Sequence, residues 1–287
     1  MLYLRDGREH SAEPGASVAE LSENVLTGRL GPEPSRLVAT SVFWLHHGTR
    51  LRGGGVTYLN QYVLVRVGEV FGACAFESGE LDPSVCHSAS GSTLQTLLKS
   101  ESSPLRTAAL DAYLAHLRPH HAVGEAEEVL LPAGTPEVRA SARDAAIAEI
   151  LEVDPGKKVG LIGVVNPLVA AIRSRGAECL PCDLTLRETH WGDPVARSMS
   201  GVLDEADAIV ATGMTVGNGS FDEILRRCRQ RDIPLVVYAQ SASAVARAFV
   251  GHGVSAVSAE PFPFSQFSAQ PTSLYRYRAD ARAGVSA

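Results

Sequence analysis

The pattern of apolar and polar residues changes character near the middle of the chain. In the first half, a helical segment at 17–26 precedes strand-like segments, and further helical segments follow, with apolar residues recurring every three or four positions. These segments span residues 36–45, 62–67, 70–76, 93–98 and 103–117. Gly68-Glu69 between the second and third strands is typical of a hairpin. Strands followed by helices predict an α+β arrangement.

The second half, after an acidic stretch at 124–135, alternates short apolar runs with helical ones. The predicted strands span residues 159–162, 178–182, 208–211, 235–239 and 256–258. Strands that alternate with helices pair in parallel through right-handed crossovers. The predicted fold class is therefore α/β: a Rossmann-like parallel-sheet domain at 126–287, preceded by a smaller α+β domain at 1–125.

The most informative segment is 212–220, which follows an apolar run and precedes an amphipathic helix. Its three glycines and Asn218 leave backbone N–H groups accessible, and the start of a helix beside them attracts anions. The alternative is an ordinary turn in which glycine supplies a positive φ and Ser220 or Asp222 caps the helix. Because three glycines exceed what a cap requires, we favour a ligand loop. Its predicted ligand residues are Thr212, Gly213, Asn218, Gly219 and Ser220.

A second loop of this kind follows the predicted strand at 159–162. Gly160 and Gly163 match only part of the dinucleotide-binding fingerprint, and Pro167 is typical of a first helical position. Asp183 lies 20 residues after Gly163, where an acidic residue holds ribose hydroxyls in nucleotide-binding folds, although Asp is also common in turns. The ligand residues predicted at these and neighbouring strand ends are Gly160, Gly163, Asn166, Asp183, Gln240 and Ser241.

Composition narrows the class of protein. The chain has 287 residues, a net charge of −6 and no Lys/Arg run, which argues against nucleic acid as a partner. No apolar stretch approaches the ~20 residues that span a bilayer, and the N-terminus lacks a signal sequence, so we expect a cytoplasmic protein without a membrane partner. Five cysteines, an odd number, favour free thiols. Cys179 and Cys182 form a C-x-x-C pair, which we interpret as the end of a buried strand rather than a redox or metal motif.

The sequence resembles the family described as putative heavy-metal chelation, in which an enolase-N-terminal-like domain precedes a Rossmann-like domain. The resemblance rests on the segments 159–168, 207–225 and 249–254, with weaker support from 91–94 and 108–112. It implies a site between the two domains, lined by the two glycine loops, that handles a metal or a metal chelate. The chain departs from the family at Asp111, where Asn is common, and in lacking a proline after Ser241. These departures indicate a specialised member with another ligand.

A metal site needs ligands, and sulfur with imidazole suits copper, nickel or zinc. The predicted metal ligands are Cys86, His87 and His190; the alternative for the first two is a loop thiol beside a surface histidine. His116 and His120 have helical i, i+4 spacing, but Pro119 between them predicts that the helix ends first.

Three functions are therefore open. The first is binding of a small anionic ligand or metal chelate in an interdomain cleft, in metal handling or small-molecule biosynthesis, with Asn218 orienting the ligand. The second is a transferase or cyclase that uses a nucleoside cofactor such as S-adenosylmethionine. The third is a binding module without catalysis. No hydrolase, kinase or deaminase signature is present in the sequence. An enzyme of undefined reaction class is favoured, and a homodimer is expected.

Overall fold

Two β-sheets organise the chain, whose computed structural model describes residues 14–50 and 57–279. The elements of the first half are α1 (Val18–Leu26), β1 (Ser41–Thr49), β2 (Tyr58–Val67), β3 (Val70–Phe76), α2 (Val85–Ala89), α3 (Leu94–Leu98) and α4 (Ser103–Leu117). The three strands form an antiparallel sheet in the order β1-β2-β3. The predicted strand at 36–45 begins only at Ser41, because Pro34–Arg36 forms a short 3-10 helix.

One face of the small sheet packs against α4. Gly72 on β3 allows this close packing, since a Cβ there would lie 2.0 Å from the backbone nitrogen of Ala112 and 2.2 Å from the carbonyl oxygen of Ala108. The strand and the helix therefore touch through their backbones. The hairpin predicted at Gly68-Glu69 is present, with Val67 paired to Val70.

The second half builds a seven-stranded sheet in the order β4-β10-β9-β8-β7-β5-β6. Its strands are β4 (Glu127–Leu131), β5 (Lys158–Ile162), β6 (Glu178–Cys182), β7 (Ala208–Thr212), β8 (Leu235–Ala239), β9 (Ala256–Ala259) and β10 (Thr272–Arg278). Its helices are α5 (Pro136–Glu149), α6 (Asn166–Ser174), α7 (Met199–Glu205), α8 (Met214–Gly217), α9 (Phe221–Arg231) and α10 (Ser243–Ala248). Strands β5 to β9 pair in parallel, which confirms the predicted fold class.

Two strands of this sheet were not predicted from the sequence. Strand β10 runs antiparallel to both β9 and β4 and joins the acidic stretch to the sheet. Arg276 on β10 pairs with Glu127 on β4 and lies 2.5 Å from Glu149 on α5. The predicted domain limits at 125/126 stay a prediction; β4 begins just beyond them.

The small sheet is joined to the large one through β3 and the loop that follows β8. The N–H of Ala75 donates to Ser241 Oγ at 2.8 Å, and the N–H of Ala242 donates to the carbonyl of Ala73 at 2.8 Å. These bonds hold the small sheet over the carboxyl ends of the parallel strands. In the part of the chain described, no helix is both long and apolar enough to cross a bilayer.

Asp111 of α4 strengthens the same junction. Its carboxylate is buried and accepts hydrogen bonds from Ala73 N at 2.9 Å, Ala244 N at 2.7 Å and Val245 N at 3.2 Å. It therefore caps the start of α10 while tying it to β3. The departure from the family noted at this position lies at the junction between the sheets.

Candidate functional site

The strand order creates a crevice at the carboxyl end of the large sheet. Strand β6 lies on one side of β5, and β7, β8 and β9 lie on the other. The connections after β5 and β7 therefore leave the sheet towards opposite faces, and open α/β sheets bind ligands at such a switch point. Both predicted glycine loops begin here.

Gly163 and Thr212, predicted from separate motifs, meet at this point. Gly163 has φ +84°, and a Cβ on it would lie 2.4 Å from Thr212 Cγ2. The hydroxyl of Tyr238 donates to the Gly163 carbonyl at 2.6 Å. Glycine is required at position 163 both by the backbone conformation and by the close approach of the next loop.

Asp183 anchors the loop after β5. Its carboxylate accepts from the N–H groups of Val164 at 3.0 Å, Thr185 at 2.8 Å and Leu186 at 3.0 Å, and from the Thr185 hydroxyl at 3.0 Å. Burial alone would raise the pKa of Asp183, but these hydrogen bonds outweigh it and hold the pKa below its usual value. The carboxylate is thus engaged in the turn itself.

Asn166 and His190, predicted as a ligand residue and a metal ligand, also lie together. Asn166 begins α6, and its side-chain oxygen accepts from the backbone N–H of His190 at 2.8 Å. The His190 ring is exposed and packs edge-on against Trp191. The loop after β6 is therefore held against the start of α6.

The second glycine loop divides into a buried and an exposed part. Gly213 is buried, and a Cβ there would lie 2.2 Å from the Ser241 carbonyl. Asn218, by contrast, is exposed, and its side-chain oxygen accepts from the N–H of Ser220 at 3.1 Å and the hydroxyl of Ser220 at 2.6 Å. Gly219 beside them is exposed with φ +79°. Asn218 and Ser220 therefore order the turn that precedes α9.

The structure gives Gly160 and Ser241 packing roles. Gly160 lies inside β5, where a Cβ would approach Val202 Cγ1 to 2.6 Å and Ile209 Cδ1 to 2.7 Å. Its missing side chain makes room for α7. Ser241 is buried, and its hydroxyl oxygen accepts a hydrogen bond from the N–H of Ala75.

The three predicted metal ligands lie in two separate regions. Cys86 and His87 are on α2, which packs against β1, whereas His190 lies beside α6. Within residues 14–50 and 57–279, no group of three or more His, Cys, Asp or Glu side chains is arranged to hold a metal ion. Assignment of these three residues to a metal stays a prediction.

The remaining histidine and cysteine motifs have structural explanations. Helix α4 ends at Leu117, as Pro119 predicted, and His120 is buried with its ring nitrogens bonded to Tyr277 and Ser243. Cys179 and Cys182 lie on β6 as free, buried thiols, and burial raises the pKa of Cys179 to about 12.

A polar cluster at the carboxyl ends of β8 and β9 was largely missed from the sequence. We name it the Glu260 cluster, and it consists of Tyr62, Arg143, Asp144, Gln240, Glu260 and Gln266. Glu260 is only 2% exposed and accepts from Gln240 Nε2 at 2.7 Å and from the N–H of Ser265. The same Gln240 nitrogen lies 2.8 Å from Gln266 Oε1. Of the six residues, only Gln240 was predicted.

Arg143 and Asp144 supply the charges on the other side of this cluster. Their side chains, 22% and 7% exposed, form an ion pair at 3.0 Å. Burial would lower the pKa of Arg143, but the carboxylates of Asp144 and Glu260 outweigh it and raise that pKa. Burial raises the pKa of Tyr62 to about 12. The sequence feature that could have indicated this cluster is Glu260, a carboxylate directly after a buried strand.

A pocket of about 290 Å³ opens beside α8, where the small sheet covers the strand ends. It is lined by Met214, the first residue of α8, and by His46, Gln61, Phe76, Glu77 and Ser78 of the small sheet and its loops. The loop after β7 therefore faces residues of both halves of the chain.

Comparison with known proteins shows which family and which solved structures this chain is similar to. Residues 145–260 match a family model described as putative heavy-metal chelation, and no protein with a curated description matches the chain. A DUF364 family protein of unknown function from Desulfitobacterium hafniense DCB-2 is similar in structure, with 17% identity, a TM-score of 0.56, and 84% of this chain and 85% of that one covered. Another DUF364 protein of unknown function, from Pyrococcus horikoshii, has 16% identity, a TM-score of 0.50, and coverage of 83% and 93%. At such identities the likeness shows the fold alone. The resemblance predicted from the sequence is confirmed: residues 145–260 match the DUF364 family model, described as putative heavy-metal chelation, and two DUF364 family proteins are similar in structure.

Proposed function

We propose that this chain binds a small metal chelate in the crevice between β5 and β7, with the small sheet closing the site. The observation that carries the proposal is the junction of Gly163, Thr212 and Tyr238 at the switch point of the sheet. Three features predicted or found separately meet there: a glycine with positive φ, a second glycine loop, and a partly buried tyrosine that holds the first loop in place.

The groups around the crevice suit the organic part of a chelate. Helix α6 starts at Asn166 without a side-chain cap at Val165. Pro167 has no N–H, and Leu168 and Val169 donate to the Val165 carbonyl, so the helix offers an anion the N–H of Asn166 and the positive end of its dipole. Arg143 adds a guanidinium, which binds carboxylates well. Backbone N–H groups and guanidinium recognise carboxylates of a chelator and cannot ligate the metal itself. The family description supplies the connection to heavy metals.

The alternative of a nucleoside cofactor relied on Asp183 as a ribose ligand. That carboxylate already accepts four hydrogen bonds, three within its own turn and one from Val164 in the loop after β5. No other observation favours the transferase or cyclase, which stays a prediction together with the homodimer.

Replacing Tyr238 by phenylalanine tests the proposal. The change removes the hydroxyl that holds the Gly163 carbonyl, so we expect binding of a nickel chelate to weaken by about tenfold, the equivalent of one lost hydrogen bond. Titration calorimetry with preformed nickel–citrate and nickel–histidine complexes measures the affinity.

Tyr113→Phe is the matched control. The Tyr113 hydroxyl also donates to a backbone carbonyl, that of Pro32, at 2.8 Å, but it does so on α4, away from the crevice. We expect similar melting temperatures for the two variants and weaker binding only in Tyr238→Phe. Equal affinities in the two variants, or a wild-type chain that binds neither complex, would overturn the proposal.

A further inference from the structure

We propose that the Glu260 cluster recognises an α-amino-carboxylate group, with Arg143 binding the carboxylate and Asp144 and Glu260 accepting from the N–H groups of the amino nitrogen. This proposal rests on the crevice being the ligand site and adds the chemical class of the ligand. The shared chemistry covers amino-acid chelators of metals and nucleosides that carry an amino-acid tail.

The cluster is continuous with the crevice. Glu260 and Gln240 directly follow β9 and β8, so they lie at the same edge of the sheet as Gly163 and Thr212. The end of β8 connects the two places: the Tyr238 hydroxyl holds the Gly163 carbonyl, and Gln240, two residues later, donates to Glu260 at 2.7 Å. The crevice and the cluster therefore lie along one edge of the sheet.

The charged groups retain unused hydrogen-bonding capacity. Arg143 directs both Nε and Nη2 to a single oxygen of Asp144, Oδ1, which leaves Arg143 Nη1 and Asp144 Oδ2 without a protein partner in the described ranges. The fully buried side-chain polar atoms that lack a hydrogen-bond partner in these ranges lie elsewhere, on Trp44, His47, Ser258 and Arg276. Arg143 Nη1 and Asp144 Oδ2 are not among these fully buried atoms, so they are able to bind a ligand.

Glu260 has similar capacity. Each of its carboxylate oxygens accepts one hydrogen bond, from Gln240 or from Ser265, and a carboxylate oxygen accepts about two. An ammonium group has three donors, which the remaining lone pairs of Glu260 and Asp144 satisfy.

The charges of Arg143, Asp144 and Glu260 favour a ligand that carries both a positive and a negative charge. A simple anion would lie beside two carboxylates as well as Arg143, and a bare metal cation would lie beside the guanidinium. A zwitterionic head places each of its charges against the opposite one, in a part of the protein where burial strengthens both interactions. The competing explanation is an internal network that only joins the sheets.

Two pairs of probes separate these explanations. In nickel–histidine the amino nitrogen ligates the metal and keeps two N–H donors beside a carboxylate, whereas nickel–citrate carries carboxylates and no N–H group. S-adenosylhomocysteine has an amino-acid tail that 5′-methylthioadenosine lacks. We expect the wild-type chain to bind the first member of at least one pair about tenfold more tightly than the second, as a charge-assisted contact would provide.

Arg143→Gln and Glu260→Gln should abolish this preference, because each removes one of the charges that hold the amino-carboxylate group. Glu260→Gln nearly preserves shape, so it keeps the test valid if Arg143→Gln fails to fold. The control variants are Arg227→Gln and Glu205→Gln, each of which breaks a surface ion pair away from the crevice, with Asp204 and Lys158.

Each outcome decides between the proposals. Equal affinity within both pairs, or a preference that survives in both cluster variants, overturns amino-carboxylate recognition and leaves the crevice as the ligand site. Failure of all four probes to bind overturns both proposals. A preference in the nickel pair identifies a metal chelate, and a preference in the nucleoside pair identifies a nucleoside ligand.

Discussion

Replacing Gly72 by alanine is expected to lower the free energy of unfolding by at least about 3 kcal/mol, a large part of the roughly 5–15 kcal/mol that stabilises a typical domain. The new Cβ would lie 2.0 Å from Ala112 N and 2.2 Å from Ala108 O, which are backbone atoms of α4. Neither atom is able to move aside alone, so β3 and α4 would have to separate. Urea denaturation followed by circular dichroism measures the loss.

Gly201→Ala is the matched control for this substitution. Gly201 lies within α7 with open space where a Cβ would be and no unusual φ. Alanine is favoured over glycine in a helix by about 1 kcal/mol, so this variant should be slightly more stable than wild type. If Gly72→Ala were as stable as wild type, the close contact between β3 and α4 would be wrong.

Asp111 should make stability fall as the pH rises from about 4 to above 6. Burial raises the pKa of Asp111 from 3.8 to about 6 in the folded chain, against the hydrogen bonds from Ala73, Ala244 and Val245. A raised folded pKa means that the folded state holds this proton longer than the unfolded state, so its contribution is complete below pH 3.8 and is lost as the pH passes 6. The shift corresponds to about 3 kcal/mol.

Denaturation of wild type and Asp111→Asn across this pH range tests the expectation. The wild-type chain should lose up to about 3 kcal/mol relative to the variant, which has no proton to release. Asp183→Asn is the control, because that carboxylate also accepts three backbone N–H bonds but has a lowered pKa. Its titration lies below pH 3.8, so its stability should follow that of wild type between pH 4 and 6.5. Parallel curves for wild type and Asp111→Asn would contradict the assignment.

The parallel core of the fold could be predicted because its signal is local. Strands β5 to β9 are short apolar runs, each separated by a helix, and such runs are buried on both faces in a parallel sheet. Strands β4 and β10 carry charged residues, and their place in the sheet depends on their pairing with each other. Glu127 and Arg276, which pair across these strands, are 149 residues apart in sequence. No local sequence pattern indicates a pairing partner at such a distance along the chain.

The candidate site divides in the same way. Gly163 and Thr212 were found because glycine loops after apolar runs are visible in a short window. Gly160 and Ser241 look the same in sequence, yet one lies under α7 and the other receives the N–H of Ala75. Sequence spacing alone does not distinguish a glycine that would make room for a ligand from one that makes room for a helix.

The sequence by itself determined the class of fold, the order of strands and helices in the core, and the loops that meet at the switch point. Only the tertiary structure assembled the Glu260 cluster, whose charged and polar groups come from the small sheet, from α5 and from the ends of β8 and β9. In the sequence, Arg143-Asp144 is typical of a solvated helix face. Folding buries this pair beside Glu260 because the small sheet packs over the strand ends, and burial converts ordinary surface charges into the proposed site.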